Sequence, residues 1–394
     1  MEERLSKLIN RDSVAMVLYA RFPSEMAYSH HIVQVAKGFV ENNCNVNIYY
    51  PKTYNKKTLK ETPEEYYGDL NNVRFIQINN VDITSFRIYE ISPSFVKKLL
   101  YSLNTIIWSR KLKKNRNENF VWSTNPNILL VAKKYFKHVI YEKHGQAKYI
   151  QKLSISILKK SKNTLMIGVT EFAYNELSKN FNNALYLTNG VDKSFISQKE
   201  KSSPSNYVTI GYIGMLETYG VDKGVLNSIK EIDKLSTETK LNVEVIGGPE
   251  YKLKELRDFI ETSSEGKNYI VKPSIPHSKV PKVLRNFDIG IVPYPNDSHM
   301  NKYASPMKIF EMAACGVPIL ASDIKTHREL EKFNLGIVYF RNGNFSDFST
   351  RLQELILDSD LRKKLTELSL KNIGNLSWDN RMNKVLTSAR SSTG

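Results

Sequence analysis

Cysteine is scarce in this chain: Cys44 and Cys315 are the only two among 394 residues, and they lie far apart. Two distant thiols build neither a disulfide framework nor a zinc pattern, which fits a reducing cytoplasm. Long apolar runs are absent as well. No stretch approaches the roughly 18 residues that a spanning helix needs, so no transmembrane segment is expected. Met1–Arg11 is polar and charged and carries no secretory signal, and Arg390–Gly394 reads as a disordered tail. Acidic residues are in deficit, 40 against 57 lysines and arginines, for a net charge of +17. That excess points to an anionic substrate, an anionic membrane surface or nucleic acid, unless it is only a lysine-rich solvated face. No nucleic-acid-binding motif accompanies it. There is no HExxH, no Walker loop and no metal-binding DxD; Asp358-Ser359-Asp360 sits in a charged helical stretch and reads as a helix boundary.

What is present is an alternation of short β runs and amphipathic helices. Val14–Tyr19 reads as a buried strand, and Ile32, Val35, Ala36, Phe39 and Val40 then recur at helical spacing. Strands are predicted at Val46–Tyr50, Val73–Ile78, Phe120–Trp122, Val139–Tyr141, Met166–Val169 and Leu185–Leu187. The polar, aperiodic segment Lys193–Tyr207 is the best linker candidate. A second series follows at Val208–Ile213, Val243–Ile246, Tyr269–Val271, Ile289–Val292 and Val317–Ala321. No sequence repeat is present. Length and pattern together predict two Rossmann-like α/β domains, with ligands at the carboxyl ends of parallel strands.

The stretch Tyr303–Leu330 is the most informative. Ser305 suits an N-cap, Pro306 the first helical position and Gly316 the residue past the helix end. The free N–H groups of Met307, Lys308 and Ile309, with the Lys308 charge, would make an anion site. Glu311, one turn in, could accept from sugar hydroxyls. A phosphate beside a polyol describes a nucleotide-sugar, although an ordinary capped helix of an αβ unit reads the same way.

Several segments in order carry a resemblance: YARFPSEMAYSHHIVQVAKGF near the start, VIYEKHG at 139–145, LTNGVD at 187–192 and YIGML…DKGV at 212–225. VEVIGGPE at 243–250, SIPHSKVPKVLRNFDIGIVPY at 274–294 and SPMKIFEMAACGVPILAS at 305–322 complete the series. The chain resembles the retaining glycosyltransferases of family 4, over nearly its whole length. The resemblance implies a GT-B fold: an acceptor-binding domain over 1–200, a nucleotide-sugar-binding domain over 201–375, and a helix and tail over 376–394 that cross back to the first domain. It implies retaining transfer from a nucleotide diphosphate sugar to a glycan or lipid-linked acceptor, as in cell-surface polysaccharide synthesis, with front-face attack. No cofactor or metal is then required, and nucleic acid is not a partner.

The resemblance also implies roles. His144 lies near the anomeric carbon, and Lys223 and Lys308 stabilise the leaving diphosphate. Gly214, Met215, Ser274, Ile275, His277, Ser305, Pro306, Met307 and Glu311 line the donor site. Met215 stands where the family has an arginine, and Tyr303 where it has a glutamate. Tyr28, Ser29 and His30 are expected at the acceptor, in a loop where Met26-Ala27 replaces paired glycines. Glu142 is expected to point roughly with His144. A GT-B epimerase or phosphorylase and a non-catalytic basic scaffold are the alternatives.

Phe95–Arg116 stands apart. Val96, Leu99, Leu100, Leu103, Ile106 and Ile107 make a helical stripe, with Lys97, Lys98, Arg110, Lys111, Lys113, Lys114 and Arg116 beside it. With Tyr101 and Trp108 as interfacial aromatics, this suits a helix on an anionic leaflet, on the inner face of the cell membrane. A core-packed helix with a basic outer face has the same pattern.

Overall fold

The structure, a computed structural model, describes residues 11–392 except 25, 55–58, 114–117, 180, 197–206, 219 and 264–265. The chain divides into two compact units. One comprises Met1–Thr188 with Trp378–Gly394, the other Asn189–Ser377.

The first unit is built on a parallel sheet in the order β3-β2-β1-β4-β5-β6-β7. Its strands are β1 (Ser13–Val17), β2 (Asn45–Pro51), β3 (Val73–Ile78), β4 (Phe120–Ser123), β5 (His138–Lys143), β6 (Thr164–Gly168) and β7 (Ala184–Tyr186). β1, β4 and β5 are buried on both faces, which is why they read as unbroken apolar runs. Helix α1 (Ala27–Glu41) buries Ile32, Val35, Ala36 and Phe39 of the predicted periodic set, while Val40 is half-buried. Helix α2 (Arg87–Ile91) and helix α3 (Ser94–Ser109) follow β3. The chain returns to this unit at its end. The Asn42 side chain donates to the Asp379 carbonyl at 2.8 Å, and His138 Nδ1 lies 2.9 Å from the Ala389 carbonyl.

The second unit repeats the plan in the order β12-β11-β8-β13-β14-β15. Its sheet comprises β8 (Tyr207–Met215), β11 (Lys240–Gly248), β12 (Lys267–Pro273), β13 (Ile289–Val292), β14 (Ile319–Ser322) and β15 (Ile337–Phe340), all pairing in parallel. A small antiparallel hairpin, β9 (Glu217–Thr218) with β10 (Val221–Asp222), interrupts the path to helix α4 (Val225–Lys234). In each unit the chain reverses its lateral direction after the third strand. That reversal opens a crevice at the carboxyl ends of the central strands.

Three differences from the sequence reading have physical causes. The predicted linker begins inside the second unit: Asp192 accepts from the Ser194 amide at 2.9 Å, and the turn Lys193–Phe195 drives Phe195 into the core. β15 was not expected, because its apolar run Ile337–Phe340 follows a glycine without an obvious alternation. Helix α5 (Met307–Ala314) starts one residue later than predicted, with Pro306 rather than Ser305 at its N-cap and no side-chain cap. The Ser305 hydroxyl instead accepts from the Asn189 amide at 3.0 Å, and its carbonyl accepts from Asn189 Nδ2 at 3.1 Å. Gly316 does lie past the helix end, at φ +67°. Asp358 is a helix boundary, its carboxylate capping Leu361 N at 2.8 Å. The last helix is α6 (Trp378–Ser391).

Candidate functional site

In the second unit, polar groups converge where the strands end. β8 terminates at Gly214-Met215. Gly214 has φ +130°, and a Cβ there would lie 1.9 Å from Lys308 Nζ. Only glycine permits that approach, so the Lys308 ammonium, carried on the first turn of α5, rests against the end of β8. The hairpin β9–β10 brings in Lys223, whose amide donates to the Leu216 carbonyl at 2.8 Å. Gly224 follows at φ +77°, with the Pro293 carbonyl 2.7 Å from where a Cβ would stand. This seats Lys223 beside the loop after β13, its Nζ 5.0 Å from the centre of the Tyr294 ring.

These two lysines are poorly solvated cations. Burial, and then repulsion from Lys308, lower the pKa of Lys223 to about 7. Burial lowers Lys308 too, opposed by the charge of Glu311 one turn along α5. Like charges held close and desolvated are costly, and an anion bound beside them would lower that cost. Glu311 is fixed from the other side: His277 Nε2 lies 3.0 Å from its Oε1. Burial and the Glu311 charge raise the pKa of Tyr294, which therefore stays protonated. Met215, Ser274 and Gly248 meet at the ends of β8, β11 and β12; a Cβ on Gly248 would lie 3.6 Å from Ser274 Oγ and 3.7 Å from Met215 Sδ. Ile275 and Met307 are half-buried at the rim, Ile275 packed against the core. Tyr303, by contrast, is buried and stacked on His299.

The unit thus gathers Gly214, Met215, Lys223, Ser274, His277, Lys308 and Glu311 at one end of its sheet. The sequence reading missed the pairing of His277 with Glu311 and gave Tyr294, at the end of the segment 274–294, no role of its own. A tyrosine two residues past a strand end gives no signal of its own.

In the first unit His144 directly follows β5, and its side chain is 31% exposed. Its Nε2 lies 2.7 Å from Glu142 Oε1, so the two side chains do point together. Glu142 is fully buried. Its other oxygen accepts from Arg381 at 3.0 Å and from Trp122 Nε1 at 3.2 Å. Burial opposes ionisation of Glu142, but the Arg381 guanidinium and the two neighbouring imidazoles outweigh it and hold the pKa well below the ordinary value. His31 Nε2 lies 3.0 Å from Glu142 Oε1, off the line of a good hydrogen bond. Burial, then repulsion from His144, lower the pKa of His31 to about 4, so it is neutral. Arg381 and Trp122 had no sequence signal, and His31, expected partly in the cleft at the start of α1, is buried instead.

Of the expected acceptor residues, Tyr28 and His30 are half-exposed at the start of α1; Tyr28 donates to the Arg21 carbonyl, and the His30 ring stands 6.1 Å from that of Tyr67. Ser29 is fully buried, because its position on α1 faces the sheet.

Helix α3 turns its aliphatic stripe outward and is not the core-packed alternative. Phe95 is 61% exposed, Leu103 44% and Ile107 59%, while Thr105 and Ser109 are fully buried. Ile88 and Ile91 of α2 are also exposed, at 72% and 75%. The two aromatics expected to be interfacial face inward instead. Trp108 is buried, and it and Tyr101 pack on Tyr19 with ring centres 5.3 and 5.2 Å away. Lys98, Arg110 and Lys111 are exposed along this face; Lys114 and Arg116 lie outside the described residues, as does the side chain of Lys113. Among the described residues no helix is long and apolar enough to cross a membrane.

Residues 194–371 match the family model of glycosyl transferases group 1. Among solved structures, a glycosyltransferase from Rickettsia africae superposes with a TM-score of 0.69 at 16% identity, covering 97% of this chain and 99% of that one. Anabaena HepE in complex with UDP and glucose gives 0.63 at 12% identity, covering 95% and 99%. WaaG, a glycosyltransferase involved in lipopolysaccharide biosynthesis, gives 0.62 at 13% identity, covering 97% and 100%. A search of curated proteins found no match. The chain has the GT-B fold, with two Rossmann-like sheets.

Proposed function

We propose that the protein is a retaining glycosyltransferase that moves a sugar from a nucleoside diphosphate donor to a glycan or lipid-linked acceptor. The observation that carries this reading is the pair Lys223 and Lys308, two desolvated cations beside a carboxylate at the carboxyl ends of the second sheet. The family match over 194–371 covers all three residues. The resemblance to family 4 gives the roles. The diphosphate lies against the start of α5 and the two ammonium groups, and Glu311 accepts from the ribose hydroxyls. His277 keeps that carboxylate in place. The same resemblance gives His144 a role toward the transferred sugar or the acceptor.

The chemistry follows from these charges. Breaking the glycosidic bond moves negative charge onto the leaving diphosphate, and preorganised cations stabilise it as it develops. In the front-face course that the resemblance suggests, the leaving phosphate itself accepts the acceptor's proton. No metal is assigned a part, because lysines and a helix N-terminus supply the positive charge. Anabaena HepE was solved with UDP and glucose, which makes UDP-sugars the first donors to try. The test is a panel of UDP-, GDP- and ADP-linked sugars followed by thermal shift and release of nucleotide, with and without EDTA. The anomeric configuration of the product checks retention. An inverted product would remove the retaining assignment, and activity lost to EDTA and restored by manganese would remove the metal-free one.

A peripheral attachment to the cytoplasmic face of an anionic membrane belongs to the same proposal. It is favoured by the outward apolar face of α2 and α3, flanked by Lys98, Arg110 and Lys111. Exposed apolar area of this kind needs a covering surface, and basic flanks favour anionic lipid. Such a position would suit a lipid-linked acceptor.

A further inference from the structure

Beneath His144 lies an ion pair that folding alone does not require. Glu142 and Arg381 are both buried, 3.0 Å apart, at the carboxyl end of β5. A buried pair of this kind is commonly no more stable than apolar residues of the same size. It does, however, hold a carboxylate in one orientation. Arg381 and Trp122 occupy one oxygen of Glu142, which turns the other oxygen toward His144. Arg381 is itself anchored, donating through Nε to the Thr188 carbonyl at 2.7 Å and through its second terminal nitrogen to the Leu187 carbonyl at 3.2 Å. The His31 ring closes the side of the pocket, 4.5 Å from the His144 ring.

An ionised carboxylate only accepts, so the His144 nitrogen facing it must carry the proton. We infer that Glu142, clamped by Arg381 and Trp122, is a positioning residue that fixes the His144 proton on Nε2 and leaves Nδ1 as a hydrogen-bond acceptor for a substrate hydroxyl. The inference rests on the reading of His144 given above and adds the direction of its hydrogen bond. A donor role for this ring toward the sugar is thereby excluded in its neutral form. A metal ion held by His31, Glu142 and His144, whose ligand atoms lie within 4.8 Å of one another, is the competing arrangement. It would require both imidazole Nε2 atoms to be unprotonated, and the Arg381 charge on the same carboxylate opposes it.

The experiment uses the full chain with ¹⁵N-labelled histidine. There are seven histidines, few enough to assign each ring by single replacement. Long-range ¹H–¹⁵N spectra are expected to show the His144 proton on Nε2. The double variant Glu142→Leu/Arg381→Met removes the pair without leaving a lone charge, so the fold should survive, and the fixed tautomer should be lost. Release of UDP from UDP-glucose should then slow by about tenfold to a hundredfold while UDP affinity stays unchanged. Arg381→Lys keeps a cation on Glu142 and should preserve the tautomer and most of the turnover. A His144 proton found on Nδ1, or zinc shifting both imidazoles with a rise in melting temperature, would overturn the inference whatever the activity. The proper tautomer together with full activity in His144→Ala would instead remove the functional reading of His144, and the inference with it.

Discussion

The two sheets share one topology and present opposite electrostatics at the same end. In the first unit the carboxyl end of β5 holds a charge-balanced network: the Glu142 charge is met by Arg381, and Trp122 and His144 also lie at hydrogen-bond distance from its oxygens. In the second, Lys223 and Lys308 crowd together with Glu311 as the nearby anion, and burial depresses the pKa of both. A charge-balanced network keeps a geometry, whereas a crowded pair of like charges is suited to an anionic ligand. On the proposed reading, the same scaffold supplies an orienting device in one unit and an anion receptor in the other.

The largest expected effect comes from removing the receptor's charge. Lys223→Ala and Lys308→Ala should each slow transfer by on the order of a hundredfold, because each removes an interaction that strengthens as the diphosphate leaves. Both variants should fold, since each relieves a desolvated cation. Nucleotide release measured on purified variants checks this. Transfer at the wild-type rate in either variant would take that lysine out of the site.

Glu311→Gln keeps the shape of the side chain but loses the ionised acceptor. Donor affinity should fall about tenfold to a hundredfold, as expected for a hydrogen bond to a charged group. His277→Ala, which only frees Glu311 to move, should cost less. If His277→Ala proved the more damaging, the pairing would have to be read the other way, with histidine as the ligand and glutamate as its support.

The receptor should also titrate. With its pKa at about 7, Lys223 is half protonated near neutrality in the free protein. A bound diphosphate raises that pKa, so above pH 7 binding must take up a proton. Affinity should then fall by up to about tenfold per pH unit until the pKa of the bound state is passed, while below pH 7 this contribution disappears. Calorimetry at pH 8 in buffers of different ionisation enthalpy measures the uptake directly, and Lys223→Ala should abolish it.

The smallest effect concerns the outer face of α2 and α3. Lys98→Glu with Lys111→Glu should weaken binding to anionic vesicles by roughly 1 kcal/mol per lost cation and more for the reversed charge, and leave transfer to a soluble acceptor unchanged. Flotation with phosphatidylglycerol vesicles at low and high salt reads this out. A wild-type chain that stays off such vesicles at low salt would leave the exposed apolar face to another partner.

Much of the scaffold was legible because parallel strands buried on both faces announce themselves as apolar runs, β13 to the residue; the half-exposed edge strand β3 was also placed to the residue. The residues gathered at the end of the second sheet were legible through glycines and a proline that mark a strand end and helix starts, as at Gly214, Gly224 and Pro306. What stayed hidden depended on partners distant in sequence. Ser305 has the composition of a cap, yet Asn189 occupies its hydroxyl. Trp108 and Tyr101 look interfacial by composition, yet Tyr19 draws them inward and turns the aliphatic stripe of α3 out. Arg381 stands in a polar C-terminal helix like any other surface arginine until α6 folds back on β5. Periodicity reports which residues share a face, and only the neighbours decide where that face points.

The central claim is that the lysine pair of the second unit receives a nucleoside diphosphate. It is tested most directly by the melting temperature of the wild type and of Lys223→Ala/Lys308→Ala across the panel of UDP-, GDP- and ADP-linked sugars, because a ligand of the folded state raises apparent stability in proportion to its binding. The account predicts that at least one donor raises the melting temperature of the wild type and that the same donor leaves the double variant unmoved. An equal rise in both proteins, or no rise in the wild type with any donor, would contradict it.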